Sequence, residues 1–174
     1  MKKNIRELVY KIYEENIQQP PSEEFTGEFE DVEIGDVRIG NLNGKTIMLV
    51  VVDDSLKLYY ECFKISPYWE LGTSLDVLYE DDVLGKQIIE VDINFYLSED
   101  ELKKFKKVDQ LDKEFIDKLL KLRDGEKVDG ITTGLNYLYE DEWVRKFKDN
   151  EIEIVKDYHL RIFNIVEELD EEEG

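Results

Sequence analysis

Glu90 and Asp92 stand two residues apart in the stretch Gln87–Leu97, so in an extended strand both carboxylates point from one face. Carboxylates paired in this way can hold a divalent cation that activates water, which is the chemistry of metal-dependent nucleases. The lysine that usually accompanies them is missing, since Val91 and Ile93 flank the pair and no Lys follows at a suitable spacing. Two other acidic groups fall at expected turns: Asp53 with Asp54, and the run Glu80, Asp81 and Asp82. None of these stretches has the alternating Asp/Asn pattern, central Gly and closing Glu of an EF-hand. In so acidic a chain the plainer reading is solvated turns and a wet sheet face, and no metal or other cofactor is expected. The acids at the two turns are instead the candidates for contact with a partner.

His159 is the single histidine and falls on or beside the apolar stripe of a C-terminal helix. Its charge can change near neutral pH, but no Ser or Cys nucleophile is placed beside it by sequence, so a packing role is the plainer reading. Cys62 is the single cysteine and lies among Tyr59, Tyr60 and Phe63 in an expected strand. It excludes an internal disulfide and reads as a small buried hydrophobe. Lys103, Lys104, Lys106 and Lys107 surround Phe105 and form the one basic patch. Gly35, Gly40 and Gly44 punctuate hairpins and lack the strand–GxGxxG–helix context of a dinucleotide site. Tyr and Trp residues near loops (Tyr68, Trp69, Tyr137, Tyr139 and Trp143) can anchor an interface or fill a core.

These residues need elements to position them. Ile5, Leu8, Val9, Ile12 and Tyr13 recur at helical spacing and predict a helix over 2–17, ended by Pro20 and Pro21. The period then falls to two. Val32 and Ile34 alternate with acids, and Val37 and Ile39 take the opposite parity beyond Gly35, as a bulge requires. Asn43-Gly44 predicts a tight hairpin into Thr46–Val52, and Asp53-Asp54-Ser55 a second turn before Leu56–Ile65. Leu75–Tyr79 and Gln87–Leu97 complete a run of short strands that suggests a small barrel or a strongly curved sheet. At Ser98 the helical period returns with a capping box, Ser98 to Glu101, and lysines 103–107 toward the expected C-terminus. Further helices are expected over Asp112–Leu122, Glu140–Asp149 and Ile152–Leu169. The last has the stripe Ile152, Val155, His159, Ile162, Val166 and Leu169, widened by Ile154, Tyr158, Phe163 and Ile165.

The chain is one domain of α+β class: an N-terminal helix over 1–19, a small curved antiparallel sheet or barrel over 27–97, a helical part over 98–170 and an acidic tail over 171–174. Asp and Glu number 43 against 23 Lys and Arg, a formal net charge of −20. Such a surface repels nucleic acid and anionic membrane and attracts basic proteins. Yet 41% of residues are hydrophobic, too many for a disordered acidic chain. The sequence contains no alanine, and its Glu- and Lys-rich makeup resembles that of thermophile proteins. No apolar stretch approaches the roughly 20 residues of a membrane span, and no leader is evident, so a cytoplasmic location is expected.

The order of parts from Gly35 to about Leu122 resembles the barrel of the MazF/PemK-type toxin family. Gly35-Asp36-Val37 resembles its opening strand, Lys45–Val52 the strand that follows, and Cys62-Phe63-Lys64-Ile65-Ser66 the strand ending in a hydroxyl residue. Ile89-Glu90-Val91-Asp92 and Leu102–Leu122 resemble the later strand and helices. The family's members are metal-free endoribonucleases, and the resemblance implies catalytic roles for Lys45 and Ser66. Where the family carries an arginine-proline pair this chain reads Gly44-Lys45-Thr46-Ile47. The expectation weighed first is a non-catalytic acidic protein that engages a basic protein partner or mimics nucleic acid. The alternative is a nuclease, metal-free through Lys45 and Ser66 or metal-dependent through Glu90 and Asp92. A homo-oligomer built on the aromatic patches is a third course.

Overall fold

The computed structural model describes residues 31–81, 85–134 and 142–173, without the side chains of 81 and 166–173, and otherwise only Glu7 and Lys11. The helix expected over 2–17 lies outside the described residues. The fold is α+β, with six strands in one antiparallel sheet and helices against its faces.

β1 (Asp36–Leu42) and β2 (Lys45–Leu56) meet at Asn43-Gly44, whose φ angles of 51° and 79° are those of the mirror-image hairpin turn. β3 (Tyr59–Ser66) returns beside β2 after Lys57-Leu58, because Leu56 pairs with Tyr59. The turn expected at Asp53–Ser55 is therefore a kink within β2. There the register slips and the Asp53 carboxylate accepts the Ser55 amide at 3.2 Å. β4 (Asp76–Asp81) and the long β5 (Gly85–Ser98) form the next hairpin, and β5 also pairs with β3.

Ser98 and Glu101 form both arms of the expected capping box, yet α1 (Glu99–Leu102) is a single turn. Lysines 103–107 do not prolong it. The fully buried Arg38 guanidinium donates to the carbonyls of Leu102 (3.1 Å) and Phe105 (3.2 Å), which a longer helix would have used itself. The Phe105 ring lies where a Cβ on Gly40 would stand 2.7 Å away, so β1 and this link pack tightly. The chain continues as β6 (Lys106–Gln110) on the free edge of β1. The basic patch is thereby divided, with Lys107 reaching Asp36 at 3.0 Å and Lys103 lying 3.5 Å from Glu99.

α2 (Lys113–Arg123) starts where the Asp112 carboxylate accepts the Phe115 amide, and it buries Ile116 and Leu119. α3 (Glu142–Glu173) is one continuous helix, where two helices had been expected, and the acidic run Glu167–Glu173 forms its last turns. The sheet order is β4-β5-β3-β2-β1-β6. One face packs Leu49, Val51, Cys62 and Phe95 against Ile154 and Val155 of α3. The other packs Val50, Phe63, Ile65 and Ile89 against α2. The start of β4 is covered by 132–134, and near its end the Tyr79 hydroxyl donates to Asp109 of β6. The sheet thus curls until its edges touch. No ladder joins β4 to β6 among the described residues, so it is a curved sheet and not a closed barrel.

Candidate functional site

Register brings three charged residues into one row across the sheet. Lys64 of β3 pairs with Glu90 of β5, and Glu90 pairs with Asp76 of β4. Cross-strand partners point from the same face, so these side chains stand together on the side that α3 covers. Asp92 lies two residues further along β5. From α3, Lys148 and Glu151 (three apart, on one helix face) descend onto the row. The Lys148 ammonium donates to Asp76 Oδ1 at 2.5 Å, Glu90 Oε2 at 3.1 Å and Asp92 Oδ1 at 3.3 Å. Lys64 Nζ lies 2.9 Å from Glu151 and 3.7 Å from Glu90. The Thr73 amide and hydroxyl hold the other Asp76 oxygen, at 2.7 and 3.1 Å. Asp76 and Glu90 are fully buried, and Lys64, Lys148 and Glu151 nearly so.

Burial opposes charge on every member, and the neighbours decide who keeps it. Burial alone would lower Lys148, but Glu90, Asp76 and Asp92 outweigh it and hold the ammonium charged. Lys64 is likewise kept charged against burial by Glu151 and Glu90. Glu90 is pushed well above the usual carboxylate range by burial and by Glu151, only partly offset by the two lysines. Glu151 is held below it, since Lys64 and hydrogen bonds from Glu90, Lys64 and Ser66 overcome its burial. Glu90 Oε1 and Glu151 Oε1 are buried with no other hydrogen-bond partner among the described residues. One proton shared between the two carboxyls satisfies both.

The expected pair Glu90 and Asp92 does face one side, and Asp76 joins it. The centre of the three carboxylates is filled by Lys148, as a cation would fill it. Among the described residues no three acidic, His or Cys side chains are grouped to hold a metal ion. Ser66 is fully buried in this cluster, bonded to Glu151 and accepting the Tyr68 amide at 3.2 Å. Lys45 opens β2 opposite Leu42, beyond the last β2–β3 pair, Met48 with Ile65. His159 Nδ1 bonds the Asn94 carbonyl at 2.8 Å, and burial pushes the Cys62 thiol up.

The acids at the turns lie elsewhere. Asp53 and Asp54 line an open hollow of about 590 Å³ beside α2. Glu80 lines a second, of about 370 Å³, which shares Gln110, Leu111 and Asp112 with the first. Asp81 ends β4 opposite Gly85, and Asp82 lies outside the described residues.

Sequence reasoning missed Asp76, Lys64, Lys148 and Glu151. A signal for the last two was present, because they interrupt the apolar series Val144, Phe147, Ile154 and Val155 that α3 buries. No helix among the described residues is long and apolar enough to cross a membrane. No protein-family model matches the chain, and neither curated proteins nor solved structures showed a similar protein.

Proposed function

We propose that this protein works by binding, with its acidic surface engaging a basic protein or standing in for nucleic acid toward a protein that binds it. One observation carries the reading: Glu90 and Asp92, the carboxylates that had catalytic promise, gather with Asp76 around the protein's own Lys148, while Asp54 and Glu80 at the turns are exposed to solvent. Complementary charge of this kind speeds encounter and selects partners. A free, buried Cys62 fits a reducing compartment such as the cytoplasm.

The alternative is a nuclease, and Asp76 beside Glu90 and Asp92 is what favours it, since three carboxylates with lysines resemble a metal-assisted hydrolytic centre. The metal-free route through Lys45 and Ser66, on a MazF/PemK-type scaffold, needs a hydroxyl that substrate can reach, and Ser66 is covered. Incubating the protein with labelled RNA and DNA, in Mg²⁺, in Mn²⁺ and in chelator, decides between the readings. No cleavage above a boiled control is expected. Cleavage lost on chelation and in Glu90→Gln, or lost in both Lys45→Ala and Ser66→Ala, overturns the binding reading.

A further inference from the structure

The kink in β2 turns Asp53 and Asp54 toward α2, and α2 presents Lys113, Ile116, Asp117 and Leu120 at helical spacing along the same hollow. Ile34, Val52 and Leu111 complete its apolar floor together with Ile116 and Leu120. The rim is acidic, with Asp53, Asp54, Asp112 and Asp117 around it. The second hollow shares Gln110, Leu111 and Asp112 with the first and adds Leu78, Phe115, Glu80 and Asp109. Among the described residues lining either hollow, Lys113 is the one cation. The two form one furrow with a greasy floor and negative walls.

We infer that this furrow is the docking site for a basic amphipathic segment of a partner protein, whose apolar side chains enter the hollow beside α2 while flanking Lys or Arg residues meet the rim. The inference rests on the partner-binding reading and assigns it a place. Charge complementarity selects the occupant. A second copy of this chain, itself strongly acidic, is repelled, and so is a phosphate backbone. A purely cationic segment leaves the floor in water, which forfeits the apolar burial that the furrow offers.

The test uses two fluorescein-labelled peptides of equal length and charge at low salt: one of lysine and leucine in amphipathic order, one of lysine and serine. Fluorescence anisotropy is read on wild type and on two double variants, each checked for folding by circular dichroism. Asp54→Lys/Asp117→Lys reverses exposed rim charges. Glu153→Lys/Asp157→Lys makes the same change in net charge on α3, across the sheet. The expected results are tighter binding of the leucine peptide by wild type, a loss of about tenfold in the rim variant and a much smaller loss in the α3 variant. Equal losses in both variants, or equal affinity for both peptides, overturn the furrow and leave general acidic binding standing. No binding of either peptide to wild type overturns both.

Discussion

Replacing Lys148 with Met is expected to destabilise the protein by about 3–5 kcal/mol, the range for removing one member of a buried ion pair. The ammonium donates to Asp76, Glu90 and Asp92 together, and two of these three carboxylates are fully buried. Without it they face one another in a site that water enters poorly, and each must take a proton or drive α3 off the sheet. Urea denaturation of the two proteins measures the loss. The double variant Lys148→Met/Glu90→Gln should recover part of it, because a neutral amide at 90 cannot ionise beside Asp76 once the cation is gone. A loss below about 1 kcal/mol, the usual size for an exposed pair, would mean that the cluster is solvated and open to substrate.

Stability is also expected to fall as the pH rises above 4.5, the ordinary value of a glutamate. Glu90 keeps its proton to higher pH in the folded protein than in the unfolded chain, because burial and Glu151 both disfavour its charge. The folded state therefore binds more protons across that window, and the stabilisation present at lower pH is lost as the pH rises toward the folded value. Each such group contributes a slope of at most about 1.4 kcal/mol per pH unit. Asp76, raised by burial, acts with the same sign from 3.8 upward. Glu151 and Glu101 are lowered, so their stabilisation is lost only as the pH falls below 4.5. Denaturation midpoints taken between about pH 4 and pH 8 should decline on the upper limb. Glu90→Gln, which mimics the protonated form, should flatten that limb. A midpoint that climbs across the same range in wild type contradicts the shared proton.

Local signals were legible where neighbours in sequence decide the structure. Asn43-Gly44 specifies its turn by backbone conformation, Ser98 and Glu101 cap α1 across three residues, and Glu90 and Asp92 share a strand face by simple alternation. The charged cluster was not legible as a unit. Its contacts join residues 72, 58 and 56 positions apart, and only the pairing of β3, β5 and β4 brings them together. Charges within α3 also misled the reading of its buried side. The expected stripe starts at Ile152 and leaves out Lys148 and Glu151, yet Ile152 is exposed, while Ile154, expected only to widen it, is buried. The true inward line runs through Lys148 and Glu151, which pair with charges on the sheet and so tolerate burial. β6 escaped notice because its lysines read as a helix end. What makes it a strand is the open edge of β1 and the Arg38 bonds that stop α1.

The most direct test of the binding reading is the affinity of the lysine–leucine peptide for the wild-type protein across a salt series. Acid-driven recognition predicts saturable binding at low salt that weakens steadily through physiological ionic strength, where screening reaches over about 8 Å. Absence of binding at low salt, or an affinity indifferent to salt, would contradict it.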